Sequence, residues 1–96
     1  MRAAIIFWDL EEDLDGNFQH ILEHDLSKEE VEAVLRNPRN STTESKSSGY
    51  PITFGWTSTG RYLAVVWEHV EEDPLTLRPI TAYETSPPKP PRRRKK

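Results

Sequence analysis

The residues best equipped for chemistry are a histidine pair, two internal arginines and a late tyrosine. His20-Ile21-Leu22-Glu23-His24 spells H-x-x-E-H, the order in which inverted zinc proteases set two histidines one helical turn apart beside a catalytic glutamate. That reading makes His20, Glu23 and His24 the site of a metal-dependent hydrolase. Against it, Ile21 and Leu22 read as core, the surrounding helix spans two or three turns, and no third ligand is marked. The plainer reading packs one histidine at a helix end and leaves the other solvated. A third reading needs neither metal nor cofactor. In RNA cleavage a base removes the 2'-hydroxyl proton, cations stabilise the pentavalent phosphorus, and an acid protonates the departing 5'-oxygen. The candidate catalytic residues for this chemistry are His20, His24, Arg61, Arg78 and Tyr83. Both arginines are expected to be exposed; their plainer roles are a solvated side chain after the turn glycine for Arg61 and pairing with surplus carboxylates for Arg78.

A second group sits at the C-terminus. Arg92, Arg93, Arg94, Lys95 and Lys96 form a cation cluster suited to RNA phosphates or an acidic surface, its plainer role being a solubilising extension. The net charge of -3 hides an asymmetry: residues 89–96 hold six cations, so residues 1–88 stand at -9. So acidic a body repels phosphate at long range, which makes a basic protein partner an alternative to RNA. Trp8, Trp56 and Trp67 fall on strand positions, where indoles more often fill a core than stack on bases.

These residues need elements to hold them. Residues 3–8 are apolar, rich in β formers, and read as a strand ended by the acidic stretch Asp9–Asp15. Asp15 is placed to cap a short helix whose Phe18, Ile21 and Leu22 share a face, ending near His24. Ser27 and Glu30 form a capping box, and Leu26 can staple onto Val31. The second helix buries Val31, Val34 and Leu35 and stops near Asn37, ahead of Pro38. Arg39 to Gly49 is polar, lacks periodicity and reads as a mobile loop. Ile52, Phe54 and Trp56 alternate with small or polar residues, a turn follows at Ser58–Gly60, and Tyr62 to Trp67 forms the partner strand. A turn at Glu71–Pro74 leads to a last strand near Leu75–Tyr83, where Pro79 predicts a sheet edge or a bulge.

The expectation is one α+β domain over residues 1–85, with order β-α-α-β-β-β and two helices packed on one face of an antiparallel sheet. Residues 86–96 read as a disordered, proline-rich basic tail. A chain of 96 residues supports one core. It has no cysteine, no signal peptide and no membrane-length apolar run, so a cytoplasmic protein without a membrane partner is expected.

Several residues, in this order, resemble the BrnT toxins. They are Trp8-Asp9 closing the first strand; Asn17 with His20 and the Glu23-His24-Asp25-Leu26 turn; and Ser27-Lys28-Glu29-Glu30-Val31 opening the second helix. Gly55, Gly60-Arg61 with the apolar strand behind it, and Ile80-Thr81-Ala82 complete the set, which covers residues 5–84. The resemblance implies a RelE-like fold and a metal-independent endoribonuclease toxin of a type II toxin-antitoxin system. Its implied partners are a cognate antitoxin and RNA, bound free or at a ribosome, and no cofactor is implied. Carried over by position, Arg61 and Arg78 become phosphate-binding cations and His24 the histidine of the helix–helix turn. Glu23 stands where the family has a basic residue, Asp25 where it has glycine, and the family's C-terminal helix has no counterpart. The alternative is therefore a catalytically silent member of the fold that binds a protein.

Overall fold

A computed structural model describes residues 4–88, so the cluster Arg92–Lys96 lies outside the described residues. Seven elements form: β1 (Ile5–Ile6), α1 (Asn17–Glu23), α2 (Lys28–Arg36), β2 (Ser41–Glu44), β3 (Pro51–Trp56), β4 (Tyr62–Glu72) and β5 (Leu75–Glu84). They build one sheet in the order β1-β5-β4-β3-β2. Neighbours from β2 through β5 run antiparallel, whereas β1 lies parallel to β5, with Ile5 opposite Thr76 and Ile6 opposite Leu77.

Two expectations change here. The sheet is mixed rather than antiparallel, because β1 pairs with the last strand and the rest of the domain supplies the long crossover that parallel pairing needs. The order is β-α-α-β-β-β-β, because Ser41–Glu44, expected within a loop, pairs along its length with Pro51–Phe54. Every residue of β2 is exposed, so hydrophobic alternation has nothing to reveal there. What fixes the strand is ladder pairing and the Thr42–Thr53 hydroxyl contact at 2.7 Å.

The second helix forms as its sequence dictates. Ser27 Oγ accepts the Glu30 N–H at 3.1 Å and Glu30 Oε1 accepts the Ser27 N–H at 3.1 Å, closing the capping box. Val31, Val34 and Leu35 are buried, as is Leu26. The first helix starts differently. Its N-cap is Gly16, without a side-chain cap of its own, and Asp15 plays no such part. Asp9 reaches back from the end of the first strand instead, its Oδ2 accepting the Asn17 N–H at 2.8 Å. Ile21 is buried, but Leu22, expected on the apolar face, is exposed.

One core forms between both helices and one side of the sheet, with Ile21, Val31, Val34 and Leu35 packed against Leu63, Val65, Trp67, Leu77 and Ala82. β3 turns its large residues the other way. Thr53, Gly55 and Thr57 are buried, while Trp56 is 55% exposed, so Trp56 is not a core residue. The reason is local: the Asn40 amide lies against Gly55 where any Cβ would sit, and Trp67 Nε1 donates to Thr53 Oγ1 at 2.9 Å. Gly55→Ala should therefore cost about 1–3 kcal/mol through overpacking, measured as a lower urea midpoint at unchanged m-value. Pro79 sits opposite Trp67, next to a register shift at Val66/Trp67, so the bulge forms, and it does so on a strand flanked by both β1 and β4.

Candidate functional site

Two turns and a strand end, remote in sequence, meet at one corner. The α1–α2 turn is tight: the N–H groups of His24 and Leu26 both return to the Ile21 carbonyl at 3.0 Å, and Asp25 adopts φ +61°. That left-handed conformation suits glycine best and is tolerated by Asp through local hydrogen bonding. The β3–β4 turn uses Gly60 at φ +89° and is closed by Thr57 N–H to the Arg61 carbonyl at 2.7 Å. The third contribution is the end of β5, Tyr83 and Glu84.

Arg61 ties the three together. Its Nη1 donates to the Asp25 carbonyl at 2.7 Å, its Nε to Glu84 Oε1 at 3.2 Å, and Glu30 Oε1 lies 3.5 Å from Nη1. Among the described residues Nη2 has no hydrogen-bond partner, which leaves a donor group on an otherwise committed guanidinium. Asp25 and Glu84, which Arg61 contacts, are the chain neighbours of His24 and Tyr83, whose ring centroids lie 6.5 Å apart; that of His20 lies 6.0 Å from His24. All three rings are exposed. His20, His24, Tyr83 and Arg61 are thus brought together, although Arg61 is only partly exposed, contrary to expectation.

Arg78 does different work. Its Nη2 donates to Asp9 Oδ2 at 2.7 Å and its Nη1 to Glu68 Oε2 at 3.2 Å, so it too is only partly exposed. Asp9 is the residue that receives the Asn17 N–H, which puts Arg78 at the start of α1, while His20 and His24 lie towards its end. Its guanidinium is held more firmly protonated than usual, chiefly by the hydrogen bond to Asp9.

Two carboxylates in these networks titrate low. Asp9 is lowered mainly by the Asn17 backbone N–H, with burial opposing and Arg78 assisting. For Glu30 burial acts to raise the value but is outweighed by the Ser27 backbone N–H, the Thr59 hydroxyl and Arg61. Since the folded values lie below the unfolded ones, which are near 4, the folded state binds fewer protons and stability rises with pH through this range. The stabilisation should be complete above about pH 5 and fall away as the pH drops below about 4, measured as a steep decline in thermal midpoint over that interval and a flat midpoint just above it.

Among the described residues no group of three or more His, Cys, Asp or Glu side chains is spaced to hold a metal ion. The His20 and His24 rings are tilted at 47° with centroids 6.0 Å apart, and among the described residues no third ligand joins them. One further feature escapes sequence reasoning: Phe54, Trp56 and Tyr62 gather on the sheet face away from the helices. Its signal was the Ile52/Phe54/Trp56 alternation, whose direction is set by the small residues opposite. No helix among the described residues is long and apolar enough to cross a membrane. Comparison with protein-family models, curated proteins and solved structures returns no match.

Proposed function

We propose that this protein is an RNA-cleaving toxin of the BrnT-like kind, acting without metal or cofactor at the corner built by His20, His24, Tyr83 and Arg61. The observation that carries this reading is the convergence of two turns and the end of β5 on one guanidinium, whose partners Asp25 and Glu84 adjoin His24 and Tyr83. The rings of His20 and Tyr83, with centroids 6.0 and 6.5 Å from that of His24, supply the second side chain that acid–base cleavage requires. One group takes the 2'-hydroxyl proton, Arg61 Nη2 meets the phosphoryl oxygens, and a second group protonates the 5'-oxygen, leaving a 2',3'-cyclic phosphate. His24 is central in this arrangement. Its replacement by Ala should lower the cleavage rate of a labelled single-stranded RNA roughly 100-fold or more while the circular dichroism stays unchanged, because its ring is exposed. Equal rates would remove His24 from the site.

The cytoplasm and a cognate antitoxin follow from the same reading. A second reading, a silent member of the fold that binds a basic protein, is favoured by one observation: Arg61 and Arg78 both already serve carboxylates, in a body of charge -9. RNA left intact by a folded protein, together with capture of a basic peptide, would select it.

A further inference from the structure

The outer edge of the sheet carries backbone groups that face solvent. β2 ends the strand order, and among the described residues no strand pairs with its other side. Which groups point outward follows from the register. Ser45 N–H donates to the Tyr50 carbonyl at 2.7 Å, and these two residues continue the β2–β3 pairing, so they form a hydrogen-bonded pair. Antiparallel ladders alternate bonded and non-bonded pairs. Thr43–Ile52 and Ser41–Phe54 are then the bonded ones, and the N–H and C=O groups of Thr42 and Glu44 turn outward. Pro51, opposite Glu44, has no N–H to give, as this alternation requires. Exposed edges are commonly blunted by lysine, proline or a bulge; Ser41–Glu44 has none of these.

A cleft of about 350 Å³ opens beside this edge, between the end of α2 and the sheet. Leu35, Pro38 and Trp67 line it together with Asn40, Thr42 and Thr53, and no charged side chain does. These polar groups are already committed: Trp67 Nε1 donates to Thr53 Oγ1 at 2.9 Å, the Thr42 and Thr53 hydroxyls meet at 2.7 Å, and Asn40 Nδ2 donates to the Val34 carbonyl at 2.8 Å. What the cleft chiefly offers an occupant is apolar surface, in a space large enough for a bulky side chain. Directly paired residues share a face of the sheet. Thr42 opposes the buried Thr53, so it lies on the helix side, and a strand added antiparallel to β2 places the side chain opposite Thr42 at this cleft.

The residue two positions earlier in such a strand opposes Glu44, an exposed carboxylate without an ion-pair partner among the described residues, on a body of charge -9. A second copy of β2 does not satisfy both positions. If Thr42 faces its own counterpart, a small threonine meets the cleft; if it faces Glu44, a carboxylate does. We infer that the β2 edge binds an extended segment of another protein, added antiparallel as a sixth strand, with a large apolar residue opposite Thr42 and a basic residue two positions before it. Main-chain pairing at Thr42 and Glu44 supplies affinity, and the cleft and the carboxylate supply selectivity. The site shares no residue with the His24 corner and stands independently of the nuclease reading.

The test is a titration of the whole isotope-labelled chain with the peptide Thr-Lys-Thr-Phe-Thr-Thr, followed through the backbone amide resonances. The amides of Thr42 and Glu44 should shift most, because their N–H groups take the new bonds. Replacing the peptide's Phe with Ala should weaken binding roughly tenfold or more. N-methylation of that Phe, whose N–H faces β2, should weaken it by about tenfold, whereas N-methylation of the threonine that follows, whose N–H faces away, should be tolerated. Glu44→Lys, at an exposed position that leaves the fold intact, should weaken the lysine peptide by up to about fivefold and favour a peptide with Glu in place of its Lys. Thr42 and Glu44 amides that stay in place, equal binding of the two N-methylated peptides, equal binding of the peptide in reversed sequence, or the same amides moved instead by an oligouridylate would each overturn the inference.

Discussion

Replacing Asn17 with Ala should lower stability by about 3–5 kcal/mol, a large part of the total for a domain of this size. Asn17 is 3% exposed, and its amide is used at both ends. Oδ1 accepts the Asp9 N–H at 2.8 Å, and Nδ2 donates to the carbonyls of Phe7 at 3.1 Å and Pro79 at 2.8 Å. One side chain therefore ties the segment leaving β1, the first turn of α1 and the bulge of β5. Alanine abandons two carbonyls and one N–H in or near the interior, and each orphaned group costs about 1–3 kcal/mol. The thermal midpoint should fall by roughly 15 °C or more, whereas Leu22→Ala, exposed on the same helix, should stay within about 0.5 kcal/mol of wild type. Similar midpoints for the two variants would show that Asn17 is not the latch described.

The second large effect is on activity. Arg61→Ala should reduce RNA cleavage by roughly 100- to 1000-fold, for two separable reasons. It removes the cation that the proposed nuclease offers to the phosphoryl group, and it releases the Asp25 carbonyl, Glu30 and Glu84 from the side chain that links two turns to the end of β5. The structural part should appear as a loss of roughly 1–3 kcal/mol, too small to unfold the protein at room temperature. Arg61→Lys separates the two. It keeps a charge but cannot reach Asp25 and Glu84 at once, so cleavage should recover in part while stability stays lowered. Full recovery with Lys would mean that charge alone matters at this position.

How much of this the sequence disclosed varied with the physical origin of each feature. The second helix was fully legible, because its cap and apolar face are written within ten residues, Ser27 to Arg36. The start of α1 was not, since its cap comes from Asp9, eight residues upstream, and local capping rules point to Asp15 instead. The strand Ser41–Glu44 was hidden for want of a buried face. The direction of β3 runs against the usual inward placing of large residues: Thr53 accepts from Trp67 and Gly55 admits Asn40, so the large residues turn out. Of the candidate site residues, His20, His24 and Tyr83 lie near one another and Arg61 contacts the neighbours of His24 and Tyr83, whereas Arg78 is engaged by Asp9 and Glu68 and Arg92–Lys96 lie outside the described residues. The partners that restrain Arg61 and occupy Arg78 lie 10 to 69 residues away in sequence, beyond any local pattern.

Incubation of the purified wild-type protein with labelled single-stranded RNA in excess EDTA, with product ends analysed, tests the central claim most directly. Cleavage that persists in EDTA and leaves 2',3'-cyclic phosphate ends is the predicted result. RNA that stays intact with a folded protein, or cleavage that EDTA abolishes, would contradict it.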